Sequence, residues 1–187
     1  MRWDVVHDSR TTFVACMRAL CSPGTPIELP FLPGISGYPE LDRAAAVLLA
    51  LLDRGLGLGV SGDDTVHQVA ATVCALTGAE TVDAGTADWL VVHGPPATAI
   101  SQARRGTRSV PEDGATLVIA TAGEARPLTL SGPGLPQPTT CFVPLDALAL
   151  HALTAANSNP PTGVDLLIVT PECLIGLPRS VSVQGVS

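Results

Sequence analysis

Arginine supplies the only concentration of positive charge in this acidic chain, at Arg104, Arg105 and Arg108. Guanidinium groups hold phosphate or phosphonate oxygens through paired donors, and a neighbouring Gly-Thr pair and a serine could add hydrogen bonds. The same arginines could instead end a helix, where positive charge meets the helix dipole favourably. The residue types therefore predict either an anion site or a solvated helix end, and both interpretations stay open at this point.

Two further charges, Asp165 and Arg179, stand at the ends of an apolar block near the C-terminus. Continuous apolar runs of this kind predict buried β-strands, so a charge beside them needs a partner. Asp165 could contact a ligand or a partner, or accept backbone hydrogen bonds at a strand entrance. Arg179 could pair with Asp165, cross a subunit boundary or bind an anion.

Three glycines, Gly57, Gly59 and Gly62, match the spacing of a dinucleotide-binding loop. Asp83 follows roughly 20 residues later, where such a site has an acidic residue that binds the ribose. In such a site the glycines follow a strand, whereas here they alternate inside the predicted strand. Asp63 and its acidic neighbour would also put negative charge where a phosphate should lie. A glycine-rich strand end before a capped helix is the alternative interpretation.

The sequence gives little support to mechanisms that depend on lysine, on a serine nucleophile or on zinc. All ten positively charged residues are arginine, and without lysine a Schiff base, a P-loop lysine and a Ser-Lys pair are excluded. Ser36, Ser61 and Ser131 lie near glycines, but none completes a Gly-x-Ser-x-Gly elbow, so the alternative that stays open for a serine nucleophile is a triad assembled from distant residues. No cysteine or histidine spacing fits a zinc site, and the five cysteines are expected to be buried, reduced thiols.

Composition bounds the class of protein. The 187 residues are expected to form a single domain, residues 1–187, with a core of Leu, Val, Ile and Ala. A net charge of −7 argues against nucleic acid and against a membrane surface. The N-terminus has no apolar signal segment, and the longest apolar stretch, 44–52, is too short to cross a bilayer. We therefore expect a cytoplasmic protein.

Helix and strand patterns alternate along most of the chain, which predicts an α/β fold. The expected arrangement has three layers, α/β/α, in which a mixed sheet is the central layer. The first helix, capped by Asp8 or Ser9, is predicted to bury Phe13, Cys16, Met17 and Leu20. Hairpins are expected among the late strands, within 116–131 and within 165–184. Helices are predicted at 10–21, 39–54, 65–77, 97–104 and 146–156. Strands are predicted at 27–29, 56–60, 81–83, 89–93, 116–121, 128–131, 141–143 and within 165–184.

Five segments, in order, resemble the PhnH family of phosphonate metabolism, a component of the bacterial carbon-phosphorus lyase core complex. They are an aromatic amphipathic helix ending in Pro-Gly, an apolar helix ending in Leu-Leu-Asp, a Gly-Thr followed by Pro-Glu-x-Gly-Ala-Thr-Leu, a Leu-x-Gly-Pro-Gly turn, and a Gly-x-Asp with a final Leu-Pro-Arg. In this chain they occupy 13–24, 41–53, 106–117, 130–134 and 163–179.

The resemblance implies a fold similar to the large domain of pyridoxal-phosphate (PLP) transferases, but without the cofactor. The absence of lysine agrees, because no aldimine can form. It further implies a homodimer within a complex with subunits G, I and J. With subunits G, I and L, a member of this family supports formation of α-D-ribose 1-methylphosphonate 5-triphosphate from ATP and a phosphonate, and phosphonate or ATP could bind at a shared site.

No residue is assigned a catalytic role, and no cofactor or metal is expected. The candidate ligand- or partner-binding residues are Arg104, Arg105, Glu112, Asp165 and Arg179. The competing hypothesis is an independent nucleotide- or phosphate-binding α/β enzyme that uses the turn from Gly57 to Gly62 or the Arg104-Arg105 loop.

Overall fold

The structure is a computed structural model that describes residues 3–30 and 32–185. Within them the chain alternates helices and strands, as the sequence pattern predicts. The helices are α1 (His7–Cys21), α2 (Pro39–Leu51), α3 (Asp64–Thr77), α4 (Ala97–Gln102) and α5 (Ala147–Ala156). The strands are β1 (Gly57–Ser61), β2 (Glu80–Thr81), β3 (Trp89–His93), β4 (Thr116–Ala120), β5 (Arg126–Ser131), β6 (Thr139–Val143), β7 (Asp165–Val169), β8 (Leu174–Leu177) and β9 (Ser182–Gly185), with one 3₁₀ turn at Pro111–Asp113.

Six strands form the main sheet in the order β2-β1-β3-β4-β7-β8. Every neighbouring pair is parallel except β7 and β8, which form an antiparallel hairpin. The sheet is therefore mixed, as predicted, and the expected hairpin within 165–184 is present. The three central strands are almost continuously apolar because both of their faces are covered.

Side chains of the central strands alternate between two apolar cores. Val118 and Leu167, for example, point to a core shared with α1, α2 and α3. Leu117 and Leu166 point to the opposite core, which contains residues of α4, α5 and a second sheet. Helices thus lie on both faces of the main sheet, in agreement with the predicted layers.

The second sheet is antiparallel, in the order β6-β5-β9. The hairpin predicted within 116–131 is therefore wrong, because β5 does not pair with β4. Both edges of β4 are already hydrogen-bonded, to β3 on one side and to β7 on the other. With no edge left for β5, this amphipathic strand pairs with β6 and β9 and covers the core on the side of α5.

Helix α1 buries a different face from the predicted one. Its buried residues are small, namely Thr12, Ala15, Cys16 and Ala19. Phe13 is 46% exposed and Met17 is 38% exposed, so their predicted burial is wrong, although that of Cys16 is confirmed. The cause is a close approach of backbones: a Cβ on Gly176 of β8 would lie 2.5 Å from the carbonyl carbon of Ala19. Only small side chains fit between elements this close.

Local signals in the sequence set the two ends of α3. The Asp63 carboxylate accepts hydrogen bonds from the backbone N–H groups of Thr65 and Val66 at the start of α3. Gly78 ends the same helix in the left-handed conformation, with φ of 81°. The cap predicted for α1 is wrong, because the carboxylate that accepts from the first N–H groups is that of Asp4, one turn earlier.

Candidate functional site

Asp165 and Arg179 form an ion pair with each other. The Asp165 carboxylate accepts hydrogen bonds from the Arg179 backbone N–H at 2.7 Å, from its Nε at 2.9 Å and from its Nη2. Asp165 lies at the first position of β7, and Arg179 follows β8, so the β7–β8 hairpin brings them together. Both side chains are about four-fifths buried, at 20% and 19% exposure. This is the partner role that the sequence left open for them.

The remaining donors of Arg179 bind the segment around the 3₁₀ turn. Nη1 donates to the carbonyl of Pro111 at 2.6 Å, and Nη2 donates to the carbonyl of Gly114 at 3.2 Å. Gly114 has no space for a side chain, because a Cβ there would collide with the Arg179 guanidinium and with the Gly163 carbonyl. Two of the five segments that resemble a known family, 106–117 and 163–179, therefore meet at the guanidinium group of Arg179.

Arg104 is held in a second ion pair. Its Nη2 donates to Asp88 Oδ1 at 2.5 Å, and the other carboxylate oxygen accepts from the Gly57 N–H at 2.7 Å. The Arg104 carbonyl also accepts from the Ala115 N–H at 2.7 Å. Arg104 thus connects the end of α4 to the starts of β1 and β4. About two-thirds of its side chain is buried, and its Nε is among the buried atoms that have no hydrogen-bond partner.

Arg105 and Glu112 have exposed side chains. The Arg105 guanidinium makes one long hydrogen bond, 3.4 Å to the Ser101 carbonyl, while its backbone carbonyl accepts from the Gly163 N–H. Glu112 lies on the 3₁₀ turn and Arg108 is exposed nearby. Of the five candidate residues, three are therefore fixed by internal contacts, and Arg105 and Glu112 face solvent.

All of these contacts lie at the amino ends of the parallel strands. Asp165 and Thr116 are the first residues of β7 and β4, and Asp88 directly precedes β3. In open α/β sheets, ligands bind outside the carboxyl ends of the strands, where the direction of strand order reverses. The sequence-predicted residues therefore occupy the edge of the sheet that more often carries stability than chemistry.

A cleft of about 380 Å³ opens beside Arg179, between α5 and β9. Its lining combines an apolar floor, including Leu153 and Val181, with hydroxyl and amide groups such as Ser180 and Asn157. The Asn157 side chain is already bonded to the backbone of Val164. Because Arg179 directs its donors to Asp165 and to two carbonyls, this cleft has little free positive charge for an anion.

At the carboxyl ends, sequence reasoning missed a cluster around His93. Its Nε2 lies 3.5 Å from a Glu40 carboxylate oxygen, and its Nδ1 lies 3.8 Å from an Asp63 oxygen. Glu40 is only 5% exposed, and the Tyr38 ring lies against the imidazole with centroids 5.7 Å apart. In the sequence, Glu40 is a negative charge suited to the start of a helix, and no local pattern pairs it with His93. Two carboxylates make this edge unfavourable for phosphate.

The glycines from Gly57 to Gly62 do not form a phosphate cradle. A Cβ on Gly57 would meet the Val82 side chain at 2.7 Å, and one on Gly59 would meet Ala87 at 3.0 Å. The segment after β2 thus packs directly on the strand where these glycines lie. At the start of α3, the Asp63 carboxylate already occupies the anion position. This geometry favours the structural interpretation of the motif.

Hydrogen bonds from Val66 and Thr65, and the nearby His93, lower the pKa of Asp63 below its ordinary value of 3.8. A lowered pKa stabilises the fold at pH values above the unfolded-state pKa, and the contribution disappears as the pH falls through the folded-state pKa. We therefore expect Asp63→Ala to lower the melting temperature at neutral pH, and the deficit to shrink in acid. Thermal unfolding followed by circular dichroism checks this. Asp64→Ala is the control, and an equal deficit at every pH would contradict the capping role.

The cysteines are free thiols, as expected, but they are not uniformly buried. Cys16 is fully buried, whereas Cys21 is exposed and the other three are intermediate. Burial raises the pKa of the Cys16 thiol to about 12, and burial also raises the pKa of Cys141. These two thiols are poor nucleophiles at neutral pH, because the thiolate is the reactive form.

Within residues 3–30 and 32–185, no three His, Cys, Asp or Glu side chains come together as a set of metal ligands. No helix in this part of the chain is long and apolar enough to span a bilayer.

Comparison with known proteins places the chain in a family. No curated protein matches it. A family model described as bacterial phosphonate metabolism protein (PhnH) matches residues 2–184, nearly the whole chain. The resemblance read from the five ordered segments is therefore confirmed, and two of those segments meet around Arg179. The chain belongs to the PhnH family and has a role in bacterial phosphonate metabolism.

Proposed function

We propose that this protein is an accessory, non-catalytic subunit of the carbon-phosphorus lyase pathway. In this proposal it supports the formation of α-D-ribose 1-methylphosphonate 5-triphosphate from ATP and a phosphonate, together with subunits G, I and L. One observation supports the non-catalytic part: the three candidate residues with mostly buried side chains, Arg104, Asp165 and Arg179, are held in ion pairs within the fold. Arg179 binds Asp165 and two carbonyls, and Arg104 binds Asp88.

The proposal extends to assembly and location. A homodimer that joins subunits G, I and J in the cytoplasm is its fuller form, with phosphonate or ATP at a site shared between subunits. Arg105 and Glu112 are the charged candidates left accessible for such a shared site. No PLP is part of the proposal, since the chain has no lysine to form an aldimine. A likeness to the large domain of PLP transferases remains a prediction.

The alternative, an independent nucleotide- or phosphate-binding enzyme, gains no support from the geometry. Side chains fill the space at Gly57 and Gly59, and Arg104 is paired. In the same loop Arg105 and Arg108 are exposed, and solvated guanidinium groups make a weak anion site.

We expect affinity-tagged protein, expressed in cells grown on methylphosphonate as the sole phosphorus source, to co-purify with subunits G and I. The physical reason is that a protein without a self-sufficient site must act through partners. Mass spectrometry of the eluate makes the measurement, with the tag alone as the control. Recovery of the tagged chain without these two partners, under growth conditions in which both are expressed, would contradict the proposal.

A further inference from the structure

Helix α1 has an apolar outer face in addition to the face that it buries. Val6, directly before the helix, is 69% exposed, and Phe13, Val14 and Met17 on the helix are 46%, 37% and 38% exposed. At 100° per residue these four side chains and Arg10 fall within one sector, opposite the buried residues. We call this set the α1 outer face. A helix that is apolar on opposite sides is normally covered on both, because a solvated helix carries a polar outer face.

A groove runs along the adjacent flank of the helix, between α1 and the segment from Pro26 to Pro30. Its volume is about 660 Å³, and Arg10, Val14 and Arg18 line it. The groove and the α1 outer face share Arg10 and Val14, so they form one continuous surface.

The charge of this surface is opposite to that of the whole chain. Arg10 and Arg18 are exposed, and neither forms a salt bridge with any described residue. Among the described residues that line the groove, Glu28 is the only acidic one, against a chain net charge of −7. Unpaired guanidinium groups beside exposed apolar side chains fit a partner that presents carboxylates around an apolar strip.

A second copy of this chain fits the surface less well. A two-fold interface would place the same basic patch against itself, because each protomer contributes the same residues. Like charges facing each other across an interface are unfavourable. The charge pattern therefore selects a different protein with acidic character.

We infer that the α1 outer face and its groove bind an acidic amphipathic helix of a partner protein. The inference deepens the proposed function and rests on it for the existence of a partner. Apolar side chains of the partner helix pack on Phe13, Val14 and Met17, and its flanking carboxylates pair with Arg10 and Arg18. This is the helix-in-groove mode of recognition.

Two synthetic peptides of about 18 residues, long enough to form a helix, test the inference on the purified chain. Both carry the same leucine face; one has glutamate at the flanking positions and the other lysine. We expect the glutamate peptide to bind by fluorescence anisotropy and the lysine peptide to bind at least about tenfold more weakly, a difference of about 1.4 kcal/mol. Higher salt should weaken the binding of the glutamate peptide.

Matched variants assign the binding to the surface. Met17→Asp and the double variant Arg10→Glu/Arg18→Glu should each lose at least about tenfold in affinity for the glutamate peptide, and the double variant should now prefer the lysine peptide. Leu148→Asp and Arg126→Glu, at exposed positions on α5 and β5, are the controls. All of these substitutions are at exposed positions, and circular dichroism verifies that the fold is kept.

Equal binding of the two peptides, or equal losses in the surface and control variants, would overturn the inference. So would a dimer in sedimentation velocity that Met17→Asp converts to monomers without any peptide binding, since the occupant would then be a second copy. These peptides do not require the pathway's own subunits. A failure to co-purify with subunits G and I would therefore count against the proposed function, and a failure here against the surface.

Discussion

Replacing Arg179 with alanine is expected to lower the free energy of unfolding by about 3 kcal/mol. The substitution leaves the Asp165 carboxylate without its cation, and it removes the donors to the carbonyls of Pro111 and Gly114. A mostly buried carboxylate that loses its partner keeps its desolvation cost and loses the compensating attraction. Urea denaturation followed by circular dichroism measures the effect.

Arg105→Ala is the matched control for that prediction. Arg105 is exposed and makes one long hydrogen bond, so its loss should change stability by less than about 0.5 kcal/mol. If the two variants are equally stable, Arg179 does not hold the segments together, and its guanidinium would again be a candidate ligand group.

Replacing Gly176 with alanine is expected to destabilise the fold by about 2 to 3 kcal/mol. The new Cβ would lie 2.5 Å from the carbonyl group of Ala19, a backbone group that cannot move aside as a flexible side chain would. Helix α1 would have to shift away from β8, which also disturbs the hydrogen bond from the Gly24 N–H to the Gly176 carbonyl. Thermal and urea unfolding of the variant measure the loss.

The matched control is Gly85→Ala, because a Cβ on Gly85 has no neighbour closer than 3.8 Å and the backbone conformation there suits any residue. Its effect should be neutral or slightly stabilising, by less than about 1 kcal/mol. A shift of α1 would also change the groove between this helix and the segment from Pro26 to Pro30. The Gly176 variant should therefore bind the glutamate peptide more weakly. Equal melting temperatures for the two alanine variants would contradict the close packing of α1 on β8.

The fold could be predicted from the sequence where local signals decide it. Asp63 before an apolar helix and Gly78 after it mark the two ends of α3, because caps depend on a few neighbouring residues. The alternation of helices with apolar strands likewise predicts a sheet covered on both sides. These features need no knowledge of distant contacts.

The face of α1 and the partner of β5 depend on distant contacts, so the sequence did not reveal them. Phe13 and Met17 have the spacing of a buried stripe, but Gly176, far along the chain, brings β8 too close for large side chains. Apolar periodicity predicts that one face of a helix is buried. It does not distinguish burial in the protein's own core from burial in an interface with another molecule.

In the candidate site, too, some features have a local signal in the sequence and others depend on distant contacts. Asp165 and Arg179 were recognisable as charges in need of a partner, and a pairing between them was one of the alternatives. The contact of Arg179 with Pro111, across 68 residues, required the fold. The His93 cluster was missed for the same reason: Glu40, Asp63 and His93 meet only because α2 begins at the edge of the sheet where β1 and β3 end.

Isothermal titration of the purified chain with ATP and methylphosphonate, together with an assay for adenine release, tests the central claim most directly. The expected result is no tight binding and no adenine release by the chain alone, because the guanidinium groups of Arg104 and Arg179 are held in ion pairs within the fold. Adenine release should require subunits G, I and L together with this chain. Tight ATP binding or turnover by the isolated chain would contradict the accessory role.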